Sequence, residues 1–157
     1  MTDEDARFED GGERPVNLGA MDTEDLKVIS ALVQDAVLPI TEMRLDRGAR
    51  RFALLLNRFR WEDRGLGRHA PERVQAVLAF ENVMGVQTQG IDRSDKDMIL
   101  SVLTVEWVEG EDAAGHVVIT LAGDGAIRLD CEALEATLKD VTRPYVAPSR
   151  KVPDHGD

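Results

Sequence analysis

MILSVLTVEW (Met98 to Trp107), HVVITL (His116 to Leu121) and AIRLD (Ala126 to Asp130) follow one another closely, with Gly123-Asp124-Gly125 between the last two. Valine, isoleucine and threonine dominate the first two runs, and such side chains fit a pleated, half-buried surface. The Gly-Asp-Gly turn supplies residues that tolerate the backbone of a tight reversal. The three runs therefore read as consecutive strands. The next stretch, CEALEATLKDV (Cys131 to Val141), reads as a helix. Cys131, Leu134, Leu138 and Val141 fall at i, i+3, i+7 and i+10, Asp130 suits an N-cap, and Glu135 and Lys139 form an i,i+4 pair.

Working outward, Arg50 to Asn57 alternates Phe52, Leu54 and Leu56 on one face. Val74, Ala76, Leu78 and Phe80 alternate in the same way, and Val83 to Gln89 is a weaker strand with a bend at Gly85. Upstream, Asp22 precedes Glu24 and Asp25, whose charge favours a helix start, and Leu26, Ile29, Val33 and Ala36 form one apolar stripe. Pro39 bars a clean continuation, so Val37 to Leu45 reads as strand.

These elements predict an α+β domain: about seven antiparallel strands in a curled sheet or partial barrel, one N-terminal helix and a C-terminal capping helix. Strands in sequential hairpins followed by a helix resemble the pleckstrin-homology-like superfold, an analogy of fold that carries no function. Residues 1–14 read as a disordered acidic tail, 15–142 as a single globular domain, and 143–157, with Pro144, Pro148 and Pro153, as a flexible tail.

The 157 residues carry a formal charge of -11, unevenly placed. Residues 26–75 hold ten bases and six acids, a net +4, whereas residues 1–25 stand at -7 and residues 76–157 at -8. So negative a whole disfavours nucleic acid and anionic lipid as partners. No apolar run approaches the roughly 20 residues that a membrane span needs. The acidic N-terminus lacks the pattern of a secretory signal, and the single cysteine, Cys131, has no internal partner. A cytoplasmic protein is expected.

Within the basic segment, Arg44, Arg47, Arg50 and Arg51 gather at the first expected hairpin. Guanidinium groups hold carboxylates and phosphates through paired hydrogen bonds, so this hairpin is the candidate site for a ligand or partner. The competing reading is a set of solvated charges that guard a strand edge. Arg58, Arg60, Arg64, Arg68, His69 and Arg73 prolong the basic stretch, with Phe59 and Trp61 interleaved. Rim or core packing explains these aromatics better than base stacking does.

Asp92, Asp95 and Asp97 invite a calcium reading, but their spacing does not fit an EF-hand loop, and Arg93 and Lys96 intrude. Turns closed by Asp and Ser side chains account for this segment. His69, His116 and His155 show no zinc spacing, and Cys131 on an apolar stripe reads as packing. No catalytic residue, metal ligand or cofactor is assigned, and enzymatic activity is not expected.

Arg50-Arg51-Phe52-Ala53-Leu54-Leu55-Leu56-Asn57-Arg58-Phe59-Arg60-Trp61, the segment Gly90 to Asp97, and Ala126-Ile127-Arg128-Leu129-Asp130-Cys131-Glu132 together resemble an uncharacterised family of small bacterial proteins, a domain of unknown function. The likeness covers roughly Val16 to Val141. It implies a bacterial, single-domain, cytoplasmic protein and brings no activity or cofactor with it. The function expected is a non-catalytic binding module that meets an acidic protein, or a second copy of itself, through the basic hairpin and a sheet edge. The alternative is a small-anion-binding protein or enzyme with its pocket inside the curled sheet.

Overall fold

The computed structural model describes residues 15–62 and 72–142, together with the backbone of Tyr145 and Val146. The one α-helix among the described residues, α1 (Thr23–Leu32), starts where the sequence says it should. Asp22 is the N-cap, its carboxylate accepting the Asp25 N–H at 2.8 Å, and Leu26 and Ile29 are buried. Val33 and Ala36 continue the apolar stripe just past the helix end.

Strands make up the rest: β1 (Asn17–Ala20), β2 (Val37–Pro39), β3 (Met43–Asp46), β4 (Arg51–Phe59), β5 (Glu72–Phe80), β6 (Val83–Gln89), β7 (Ile99–Glu109), β8 (Gly115–Leu121), β9 (Ala126–Cys131), β10 (Ala136–Asp140) and β11 (Tyr145–Val146). A single turn of 3-10 helix (Ile40–Glu42) separates β2 from β3, where one strand was expected. The sheet runs β1-β10-β5-β4-β2-β7-β8-β9-β6, with β3 on β4 and β11 on β5, and the pairings are antiparallel.

Two corners fold this sheet over its own core. At one, β5 runs into β6 while β9 runs into β10, so that β5 pairs with β10 and β6 with β9 along one bent ribbon. Glu81 N–H to Glu135 C=O at 2.9 Å and Glu132 N–H to Asn82 C=O at 3.0 Å hold the bend. Asn82 sits there at φ 60°, a conformation that asparagine tolerates better than most residues. At the other corner, short β2 pairs with both β4 and the first residues of β7, and a register shift between Val102 and Thr104 turns β7 away. Leu54, Leu56, Leu78 and Phe80 on one side meet Val105, Val117, Ile119 and Leu129 on the other in one buried cluster.

The expected α+β class gives way to a mostly β fold, and three particulars are corrected. Eleven strands, rather than about seven, are found among the described residues, and Cys131 to Val141 forms no capping helix. The pleckstrin-homology-like arrangement, which rested on that helix, falls with it. Instead Cys131 ends β9, Glu132 to Glu135 cross the corner, and β10 buries Ala136 and Leu138 while exposing Thr137 and Lys139. The physical reason is that Leu134, Ala136 and Leu138 also fit a period of two, and short apolar runs do not separate strand from helix. The open edges of β5 and β1 decide the matter, because β10 fills the place between them. Strand β11 falls in the segment expected as a tail, and the other residues of both expected tails lie outside the described residues.

Candidate binding groove

The β3–β4 hairpin forms as expected, but its four arginines go to different places. Asp46 accepts the Ala49 N–H at 3.1 Å and Arg50 N–H reaches Arg47 C=O at 3.3 Å, which closes the turn. Arg50 pairs with Glu132, and Arg51 Nε donates to Glu81 at 2.8 Å, so both bind carboxylates that flank the ribbon corner. That hydrogen bond to Glu81 holds the Arg51 guanidinium above its ordinary pKa. Arg44 lies exposed between the inward-facing Met43 and Leu45. Arg47 borders a groove.

That groove, about 400 Å³, lies between β3 and β6. Met43, Leu45, Phe52 and Val86 give it an apolar floor, Thr41 and Thr88 flank it, and Arg47, Arg93 and Lys96 make its rim cationic. These three cations form no ion pair among the described residues. A smaller hollow of about 290 Å³ shares Leu45 and Arg47 and extends past Arg50 to Val83 and Met84. Met84 is 60% exposed, a large apolar side chain at the groove's end.

Both walls are strand edges. Among the described residues, strand β6 ends the sheet order and pairs only with β9, and β3 pairs only with β4. The bond from Val83 N–H to Arg50 C=O at 2.9 Å closes the seam at one end. At the other end stands the loop that carries Arg93 and Lys96. Asp92 accepts from Ser94 N–H at 3.0 Å and Oγ at 2.6 Å, and Asp95 accepts the Asp97 N–H at 3.1 Å. The aspartates are thus engaged in local turns, and the Ser94 hydrogen bonds hold the Asp92 carboxyl below its ordinary value. At φ 69°, Gly90 lies so close to Asp124 that a Cβ would stand 3.0 Å from its carbonyl oxygen.

The arginines read as an extension of the basic surface behave differently. Arg58 is wholly buried on β4, and all five of its N–H groups are used. Nε and Nη2 reach Asp140 at 3.1 and 3.0 Å, Nη1 and Nη2 reach Glu62 at 2.9 and 2.8 Å, and Nη1 also reaches Phe59 C=O at 3.0 Å. Burial works against its charge, yet Glu62 and Asp140 together hold its pKa above the ordinary value. Arg60, also buried, pairs with Glu72. Phe59 and Trp61 pack with ring centres 5.7 Å apart, Arg73 lies 3.9 Å over the Phe59 ring, and Trp61 Nε1–H bonds Gln34 C=O at 2.8 Å. Arg64, Arg68, His69 and His155 lie outside the described residues.

A second groove of about 370 Å³ separates α1 from β7, with Trp107 and Leu103 in its wall. Ser30 Oγ accepts the Val105 N–H there at 2.8 Å, which ties the helix to the strand edge. Cys131 is buried, its thiol pushed up to about 11 by burial and then by Asp130, so it is an unreactive packing residue at neutral pH. No helix among the described residues is long and apolar enough to cross a membrane.

Of the groove's three cations, the sequence pointed to Arg47 alone. Arg93 and Lys96 lie more than 40 residues further along, and the pairing of β2 with β7, extended by the bond from Ile40 N–H to Met98 C=O at 2.9 Å, brings the end of their loop to the hairpin. A mostly β fold with a cationic surface groove is the class that results. The model of the protein family of unknown function DUF2948 matches residues 16–155, and the chain belongs to that family. No curated protein and no solved structure matches the chain.

Proposed function

We propose that this protein is a non-catalytic binding module that holds an acidic protein partner on the groove between β3 and β6. One observation carries the reading: on a chain of charge -11, Arg47, Arg93 and Lys96 surround an apolar floor with no carboxylate paired to them among the described residues. Unpaired cations beside apolar surface attract a group that is itself both acidic and apolar, and the charge sets the encounter rate and the choice of partner more than the final affinity. The groove opens at the surface, which suits a macromolecular segment better than an enclosed metabolite. Self-association is the second reading, favoured by the exposed Glu106, Glu109, Glu111 and Asp112 at the β7–β8 end, which offer a second copy an acidic surface to present.

The test is fluorescence anisotropy with a labelled glutamate-rich peptide in low salt. Saturable binding is expected, weakening as salt rises and lost in the triple variant Arg47→Glu, Arg93→Glu, Lys96→Glu. Equal binding by the triple variant overturns the reading. Sedimentation velocity on the protein alone addresses the second reading, which requires a dimer that dissociates with salt.

A further inference from the structure

Every second residue of an edge strand turns its N–H and C=O away from its one neighbour, and those groups look for partners. Natural edges are guarded by charge, proline or a covering element. Strand β6, Val-Met-Gly-Val-Gln-Thr-Gln, has neither charge nor proline. What stands across from it is a groove and then a second edge, β3. The cations that border this unguarded edge come from other elements, Arg47 from the hairpin and Arg93 and Lys96 from the loop before β7.

We infer that the occupant of the groove is an extended peptide that adds to β6 as a further strand, with side chains alternating between apolar and acidic. This rests on the binding role proposed above and gives it a mode. The alternation follows from the groove's two levels. A strand has a side-chain period of two, so one set of side chains descends onto Leu45, Phe52 and Val86, and the other rises to the level of Arg47, Arg93 and Lys96. Backbone bonds to the edge supply affinity for any extended chain, and the two levels supply selectivity. Because the Val83–Arg50 bond closes one end, the peptide lies toward the Thr88 end, where the two loop cations stand.

The probe is an eight-residue fluorescein-labelled peptide of alternating valine and glutamate, set against a second peptide of the same sequence and charge that is N-methylated at alternate residues on the edge-facing register. The methyl groups remove the backbone donors while leaving both levels of side chains. The expected result is at least tenfold weaker binding of the methylated peptide by the full chain, and loss of both in the Arg47→Glu, Lys96→Glu variant. Equal binding of the two peptides overturns strand addition while leaving the acidic-partner role standing. Binding of neither peptide overturns both. A third peptide with the same composition but its glutamates and valines in separate blocks is expected to bind at least fivefold more weakly than the alternating one, and equal binding overturns the two-level alternation.

Discussion

Arg58 and Asp140 meet across the sheet through two hydrogen bonds of 3.1 and 3.0 Å, with the arginine side chain wholly buried and the aspartate side chain 2% exposed. The same carboxylate accepts the Val16 N–H at 2.8 Å, and Asp140 N–H donates to Val16 C=O at 2.9 Å. One aspartate thus neutralises a core cation and fastens the approach to β1.

Removing that aspartate leaves Arg58 Nε without an acceptor and the buried guanidinium with Glu62 as its one remaining carboxylate, which costs more than the pair is worth as a net interaction. Asp140→Ala is expected to lose about 3–5 kcal/mol, read from urea unfolding curves. The double variant Arg58→Met, Asp140→Leu, which takes away both charges and keeps the volume, is expected to lose less than Asp140→Ala alone. A double variant that is the weaker of the two contradicts this account of the pair.

Glu62 gives stability a dependence on acid. Burial raises the pKa of its carboxyl, but the hydrogen bonds and charge of Arg58 outweigh that, and the net position is below the ordinary value of 4.5. A carboxyl whose folded pKa is depressed binds fewer protons folded than unfolded, so its contribution is complete above the ordinary value and is lost as pH falls through the depressed one. The stability gap between the wild type and Glu62→Gln, measured by urea unfolding, is therefore expected to be full at pH 7 and to close below pH 4.5. A gap that stays constant down to the acid limit of folding removes Glu62 from this role.

Gly115 opens β8 opposite Glu109, where a Cβ would run into the Val108 carbonyl oxygen and stand 2.6 Å from the Trp107 ring. Backbone and a half-buried indole leave little room to yield. Gly115→Ala is expected to destabilise by about 1–3 kcal/mol and to shift the Trp107 fluorescence, since the ring must move. An unchanged melting curve with an unchanged spectrum runs against the close approach.

Strong alternation made most of the sheet legible. Phe52, Leu54 and Leu56, and likewise Val74, Ala76 and Leu78, point inward as their period of two says. Strand β1, Asn17-Leu18-Gly19-Ala20, carries almost no strand signal, and its strand partner among the described residues is β10. Helix propensity in Ala133 to Lys139 was overridden by the pairing of Leu138 with both Leu18 and Leu78. The site was half legible for a related reason. Arginines 44 to 60 look alike in the chain, and burial alone separates Arg58, with every donor bound, from Arg47 at an open groove.

The bond between Val16 and Asp140 joins residues 124 apart in the chain. On a ribosome, β1 therefore leaves the exit tunnel long before its strand partner exists, and it must wait, unpaired, while nearly everything between is synthesised. Helix α1 and the β4–β5 hairpin have local partners and can form early, but the outermost strand is a late closure that adds a long-range, slow step. A nascent chain stalled before Ala136 therefore exposes the edge of β5 as well as the lone β1, and this is the stage at which a chaperone would find it.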